Sequence, residues 1–162
     1  MARVDDGKDV AHDGRDESAN ERSDRNWGEI LQELRVTQTG TQIIGGFLLA
    51  IAFQERFSDL DSFQLTVYVT LVLLAAVTTA LGLAPVGLHR GLFHQRQKVR
   101  MVSIGDALLV ADLVLVSLLT GGIAFFIVDV VVGRPTAIAA GCGIYGLLLV
   151  LLVALPRYGR RR

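Results

Sequence analysis

Residues 107–128 read ALLVADLVLVSLLTGGIAFFIV, an apolar run interrupted by one carboxylate, Asp112. About 20 residues rising 1.5 Å each cross a hydrocarbon layer about 30 Å thick, so this run is long enough to span a membrane. Two neighbours, Leu65 to Leu88 and Thr136 to Pro156, carry no charge and pass the same test. A fourth stretch, Val36 to Phe53, is weaker: it opens with VTQTGTQ, and only Ile43 to Phe53 is strongly apolar. Its polar half needs neighbours to cover it, because an amide without a partner in hydrocarbon is costly. The four runs predict an all-α protein, an integral-membrane four-helix bundle with spans near 36–53, 65–88, 107–128 and 136–156. Three spans with an interfacial first helix is the alternative.

Charge distribution agrees with a membrane protein. The chain has 162 residues, 51% of them hydrophobic, with 16 basic and 16 acidic side chains. Half of those charges fall in Met1 to Arg35, and the long body from Val36 to Pro156 holds 12. Such a body is too apolar for a water-soluble domain. The layout argues against a nucleic-acid binder, a disulfide-stapled module (Cys142 is the single cysteine) and a zinc protein. Nothing in it calls for a cofactor.

Residues 1–23 hold no aromatic side chain and almost nothing large and apolar, which predicts a disordered cytoplasmic tail. The acidic start does not resemble a secretory signal, so the first hydrophobic helix is expected to direct insertion. From 24 to 35, Trp27, Ile30, Leu31 and Leu34 recur at helical spacing opposite Glu29, Gln32, Glu33 and Arg35. This predicts a short amphipathic interfacial helix, with Asn26 and Glu29 as its capping box.

Lys and Arg number six before the first stretch, then one, four and one in the three loops, and four in the basic tail 157–162. Because cytoplasmic flanks carry the excess, both termini are expected inside. An even number of crossings follows, which counts the weak first stretch as a span. The last connection, VGRP, predicts a tight hairpin closed by Gly133 and Pro135.

Asp112 is the most informative ionisable residue, since an Asp at the centre of a span costs about 2.5–3.5 kcal/mol on insertion scales. One reading makes it a proton or cation carrier, with Gln38 and Gln42 lining the route. The other makes it a structural carboxyl, protonated or hydrogen-bonded to Gln42, Gln38 or Thr39. Asp106 is expected to pair with Arg90, Arg100 or Arg35, and Asp129 with Arg134 or Arg56. At about 100° per residue the three acids point to different faces, so no ladder of carboxylates forms. The loop HRGLFHQRQKVR, with Arg90, Arg96, Lys98 and Arg100 and no acid, is suited to anionic lipid headgroups at about 1 kcal/mol per cation. His89 and His94, five apart, suit neither a metal site nor one helix face.

Small residues at four-residue spacing mark packing seams: Ala76, Ala80 and Ala84; Ala139 with Gly143; Cys142 with Gly146; Thr41 with Gly45; and Gln42 with Gly46. A homo-oligomer remains open as a way to build a pathway. No phosphate loop, nucleophile elbow or HExxH motif occurs, and no enzymatic activity is expected.

The runs RVTQTGTQIIGGFLLAIAFQERF (35–57), APVGLHRGLFH (84–94) and FIVDVVVGR (126–134) resemble a family of small four-span bacterial membrane proteins. That family is common in actinobacteria and catalogued as a domain of unknown function. The resemblance covers residues 24–156. Some members carry the label sodium:proton antiporter, which the resemblance extends here as an expectation. It implies no catalytic residues.

Overall fold

A computed structural model describes residues 18–92 and 98–159, the side chains of residues 19, 20, 89, 91, 92, 98 and 99 excepted. The elements are α1 (Ala19–Ile51), a 3-10 turn (Glu55–Asp59), α2 (Ser62–Leu92), α3 (Lys98–Val131) and α4 (Arg134–Leu149). A π turn (Val150–Ala154) carries α4 on into α5 (Leu155–Gly159). No strand occurs among the described residues. Among the described residues three stretches are long and apolar enough to cross a membrane, Ser62–Leu88, Arg100–Val131 and Arg134–Gly159. The polar opening of the first stretch keeps α1 from meeting that criterion.

The N-terminal boundary differs from expectation. The capping box forms at Ser18 and Glu21, not at Asn26 and Glu29. The Glu21 backbone N–H donates to Ser18 Oγ at 3.3 Å, and the Ser18 N–H donates to Glu21 Oε2 at 2.8 Å. Both S-x-x-E and N-x-x-E can start a helix. The earlier box prevails because residues 19–25 hold no breaker, and Arg25 bonds Glu29 one turn on at 3.1 Å. Residues 19–23 of the expected disordered tail are therefore helical, and residues 1–17 lie outside the described residues.

The expected interfacial helix and first polar stretch are also one uninterrupted helix. No proline separates them, and two threonines return their hydroxyls to α1's own backbone: Thr39 to the Arg35 carbonyl and Thr41 to that of Thr37. Such back-bonding satisfies the hydroxyls locally without breaking the helix.

α3 is the central post, packing against α1, α2 and α4, while α1 also packs on α2. One core cluster joins Leu48, Tyr68, Leu71, Ala75, Leu119 and Phe126; a second joins Ile30, Leu34 and Leu109. Tyr68 is buried with its hydroxyl donated to the Leu48 carbonyl at 2.9 Å, so its polar tip is satisfied inside the first cluster. Glycines on α3 make room for aromatic rings. A Cβ on Gly105 would lie 2.7 Å from Trp27, and one on Gly121 would collide with the Tyr145 ring.

The α3–α4 hairpin turns at Gly133, whose φ of 122° is the one positive value among the described residues. Pro135 then opens α4 at a position where its missing N–H costs nothing. At the far end, Pro156 cannot donate to the carbonyl four residues back. The chain widens into the π turn just before it, where the Leu155 N–H reaches the Val150 carbonyl.

Of the expected seams, Thr41 and Gly45 face inward: Thr41 is buried, and a Cβ on Gly45 would lie 3.8 Å from that of Ala75. Ala76, Ala80, Ala139, Cys142, Gly143, Gly146, Gln42 and Gly46 are exposed. Within the fold α4 instead docks through Ala137 and Gly141. Its contact face is set by the close approach of Gly141 to Phe125, a register that turns Ala139 and Cys142 outward.

Trp27 is the sole tryptophan, so its seat is open to fluorescence. Gly105→Ala is expected to lever the ring outward, shifting emission to the red and costing about 1–3 kcal/mol in detergent unfolding. The Ser18 side-chain hydrogen bond, then the Ser18 backbone N–H, holds the Glu21 carboxyl below its ordinary value of 4.5. Its support of the first turn is thus present above that pH and is lost as pH falls through the lowered value. Amide exchange across residues 19–24 should quicken under acid in the native chain, and the Glu21→Gln variant should lack that pH dependence.

Candidate functional site

Asp112 is set by the helical repeat of α1. Trp27, Ile30 and Leu34 form the buried stripe of that helix, and the same repeat brings Thr37 and Thr41 onto the same face. On α3, Leu109 meets Ile30 and Leu34, and Asp112 follows three residues later. The two faces therefore bring Thr37 opposite Asp112, with Thr37 Oγ1 at 2.6 Å from Asp112 Oδ2. Asp112 is only 1% exposed.

Thr37 Oγ1 also lies 3.0 Å from the Leu34 carbonyl, yet a hydroxyl carries a single hydrogen. If the carboxyl is ionised, that hydrogen is drawn toward Asp112. If the carboxyl carries a proton, it donates to Thr37, and Thr37 donates on to Leu34. Either way the short contact ties α3 to α1, with the carboxyl buried and Thr37 at the edge of a groove it lines with Glu29, Gln32 and Glu33.

The residues named beside Asp112 go elsewhere. Gln38 donates Nε2 to the Thr79 carbonyl of α2 at 3.2 Å, and its amide fills a notch at Gly82, where a Cβ would lie 2.7 Å away. Gln42 and Thr39 are exposed. Together with Arg35, Gly82 and Pro85 they line a groove of about 380 Å³ between α1 and α2. The expected partners Gln38, Thr39 and Gln42 share the depth of Asp112 along the helix but lie on other faces of it. Rotation decides the matter, and it selects Thr37, which continuing the 27–30–34 stripe by three residues would have found.

At the opposite end Asp129 is buried and accepts from Arg134 Nε at 2.8 Å and from Gln64 Nε2 at 3.2 Å. Arg134 also reaches Asp61 Oδ2 at 3.3 Å, and its guanidinium lies 3.8 Å from the centre of the Phe63 ring. Asp61 and Gln64 cap the start of α2 reciprocally, at 2.7 and 3.1 Å. One arginine thus clasps the α3–α4 turn to the first turn of α2, combining charge with cation–π stacking. Arg56 is exposed on the 3-10 turn and takes no part in it.

The pairing expected for Asp106 does not form. Asp106, Arg35, Arg90 and Arg100 are all exposed, and among the described residues no ion pair joins them. Gly105 is the residue turned toward α1, which leaves Asp106 about 100° further round α3. Arg90 lies in the closing turns of α2 and Lys98 in the first turn of α3; Arg96 and His94 lie outside the described residues. No group of three or more His, Cys, Asp or Glu is placed to hold a metal among the described residues.

Residues 16–156 match a family of unknown function, DUF6328. The chain belongs to that family. The match spans α1 to α4 and includes Asp112 and Asp129. No curated protein and no solved structure matches the chain.

Thr37→Val strands the carboxyl of Asp112 and is expected to cost about 1–3 kcal/mol. Adding Asp112→Leu removes the stranded group and should recover part of that loss, so the double variant unfolds above the single one in thermal melts in detergent. Arg134→Lys, which loses the planar fork that serves Asp129, Asp61 and Phe63 together, should lower the melting temperature more than Arg56→Lys.

Proposed function

We propose that the protein is a small integral-membrane scaffold without enzymatic activity, with four spans in the inner membrane and both termini cytoplasmic. The distribution of side chains on α1 supports counting it as a span. Thr41 is buried and Thr37 and Gln38 are turned toward neighbouring helices, while Val36, Ile43 and Phe47 are exposed at 70%, 57% and 71%. A helix in water places such groups the other way round. In lipid, helices hold together through polar contacts and small residues, with apolar side chains outward. The loop charges 6, 1, 4, 1, 4 agree with an even number of crossings.

On this reading Arg90, Arg96, Lys98, Arg100 and the terminal arginines form a basic cytoplasmic face that holds anionic lipid headgroups or an acidic partner. The single observation that favours a scaffold over a transporter is the setting of Asp112. It is buried, bonded to Thr37, and lines none of the grooves at the surface of the described residues; the nearest one is lined by Thr37 with Glu29, Gln32 and Glu33 and stops short of the carboxyl. A carrier carboxylate must meet water or an ion on each side in turn.

The rival reading, an oligomeric proton-coupled cation transporter, rests on the same buried acid and on the antiporter label of the resembling proteins. Purified protein in vesicles loaded with a pH dye separates the two. The scaffold reading expects no sodium-dependent proton flux at any gradient. Flux that disappears in Asp112→Asn contradicts it. Liposome flotation should show retention by anionic vesicles of a soluble peptide covering residues 89–100, falling as salt rises, and little retention by neutral ones.

A further inference from the structure

α1 carries two seams of small and polar residues, and the fold uses one of them. Thr41 and Gly45 pack inward, whereas Gln42 and Gly46, one residue further round, face out. The outward face continues at the same repeat through Arg35 and Thr39. Thr39 satisfies itself on the Arg35 carbonyl. Gln42 has no hydrogen-bond partner among the described residues, and a Cβ on Gly46 would meet nothing within 4 Å.

Depth makes this a problem that lipid cannot solve. Gln42 lies nine residues before Ile51, the last residue of α1, or about 14 Å along the axis, close to half of a hydrocarbon layer about 30 Å thick. Headgroup phosphates stay at the boundary, and acyl chains offer no hydrogen bond. Resting on the four-span reading above, we infer that the Gln42 and Gly46 face of α1 is an interface for a second copy of this chain. A primary amide is self-complementary, being both donor and acceptor. Two copies with the same orientation share a two-fold axis normal to the membrane, which sets Gln42 against its counterpart. Nε2 of each amide then donates to Oε1 of the other. Gly46, one turn on, lets the backbones approach, as small residues do where membrane helices cross. Arg35 lies about 10 Å along the axis from Gln42 toward the inner side, and its long side chain can reach the inner boundary.

Other exposed seams on α2 and α4 hold only small residues and no polar group in need of a partner, so the face on α1 is the one whose chemistry specifies its occupant.

Disulfide mapping in native membranes tests this. In full-length protein with Cys142→Ser, Gln42→Cys should oxidise to a band of twice the chain mass. Ile43→Cys, turned about 100° away, should not, nor should Gly143→Cys on α4. Separately, Gln42→Leu should weaken self-association about tenfold in detergent titrations read by energy transfer. Gly46→Leu should do the same while its melting temperature, extrapolated to the monomer, stays unchanged. Several results overturn the inference: equal crosslinking at Ile43→Cys, crosslinking through Gly143→Cys alone, a band of another mass, or self-association indifferent to both variants. So does Gln42→Cys that stays monomeric and reacts with a hydrophilic thiol reagent, which would make the groove a water path. A chain released from membranes by carbonate defeats the membrane reading itself, whereas a retained chain without the Gln42→Cys crosslink defeats the dimer alone.

Discussion

The contact of 2.6 Å between the Thr37 hydroxyl and the Asp112 carboxyl fixes how α1 is rotated against α3. A buried carboxyl without a partner is among the most expensive groups a fold can contain, so the helix that satisfies it cannot turn freely. Once Thr37 is opposite Asp112, Trp27 falls on Gly105, Leu34 meets Leu109, and Gln38 is directed toward the α2 notch at Gly82. The same rotation leaves Val36, Ile43 and Phe47 pointing away from the protein. One polar contact thereby decides which side of α1 is interior.

α3 is built to receive its neighbours. Gly105, Gly121 and Gly122 occupy places where a side chain would collide with Trp27, Tyr145 and Leu71. Tyr145 completes its seat by donating its hydroxyl to the Leu118 carbonyl at 2.9 Å. Close approach at glycine gives dispersion contacts over a large ring area, which matters where lipid competes equally well for every apolar surface. The Arg134 clasp secures the opposite end, joining α2, α3 and α4 through one guanidinium.

Much of this was legible from residues alone. The apolar runs 65–88, 107–128 and 136–156 lie within helices of sufficient length, and the hairpin at Gly133 is where VGRP placed it. Asp112 stood out because it is a lone charge in such a run. Its partner was missed because depth was weighed without rotation: Gln38, Thr39 and Gln42 lie at the right height but on other faces, while Thr37 continues the stripe of Trp27, Ile30 and Leu34. The helix start was misplaced because two similar capping signals lie eight residues apart, and local pattern does not rank them. The π turn at Val150–Ala154 follows from Pro156 only once the helix is known to continue past it. Asp106 shows the same lesson in reverse, since charge proximity in sequence said nothing about which neighbour faces α1.

The central claim is that α1 crosses the bilayer with Thr37, Gln38 and Thr41 turned toward its neighbours, although its composition alone would keep it out. Single cysteines in a Cys142→Ser background, probed on right-side-out vesicles with a membrane-impermeant thiol reagent, test it most directly. Ser58→Cys, in the turn between α1 and α2, should react at once from outside, and Ser23→Cys, near the start of α1, only after permeabilisation. Reaction of both from the same side would place α1 along the surface and contradict the account.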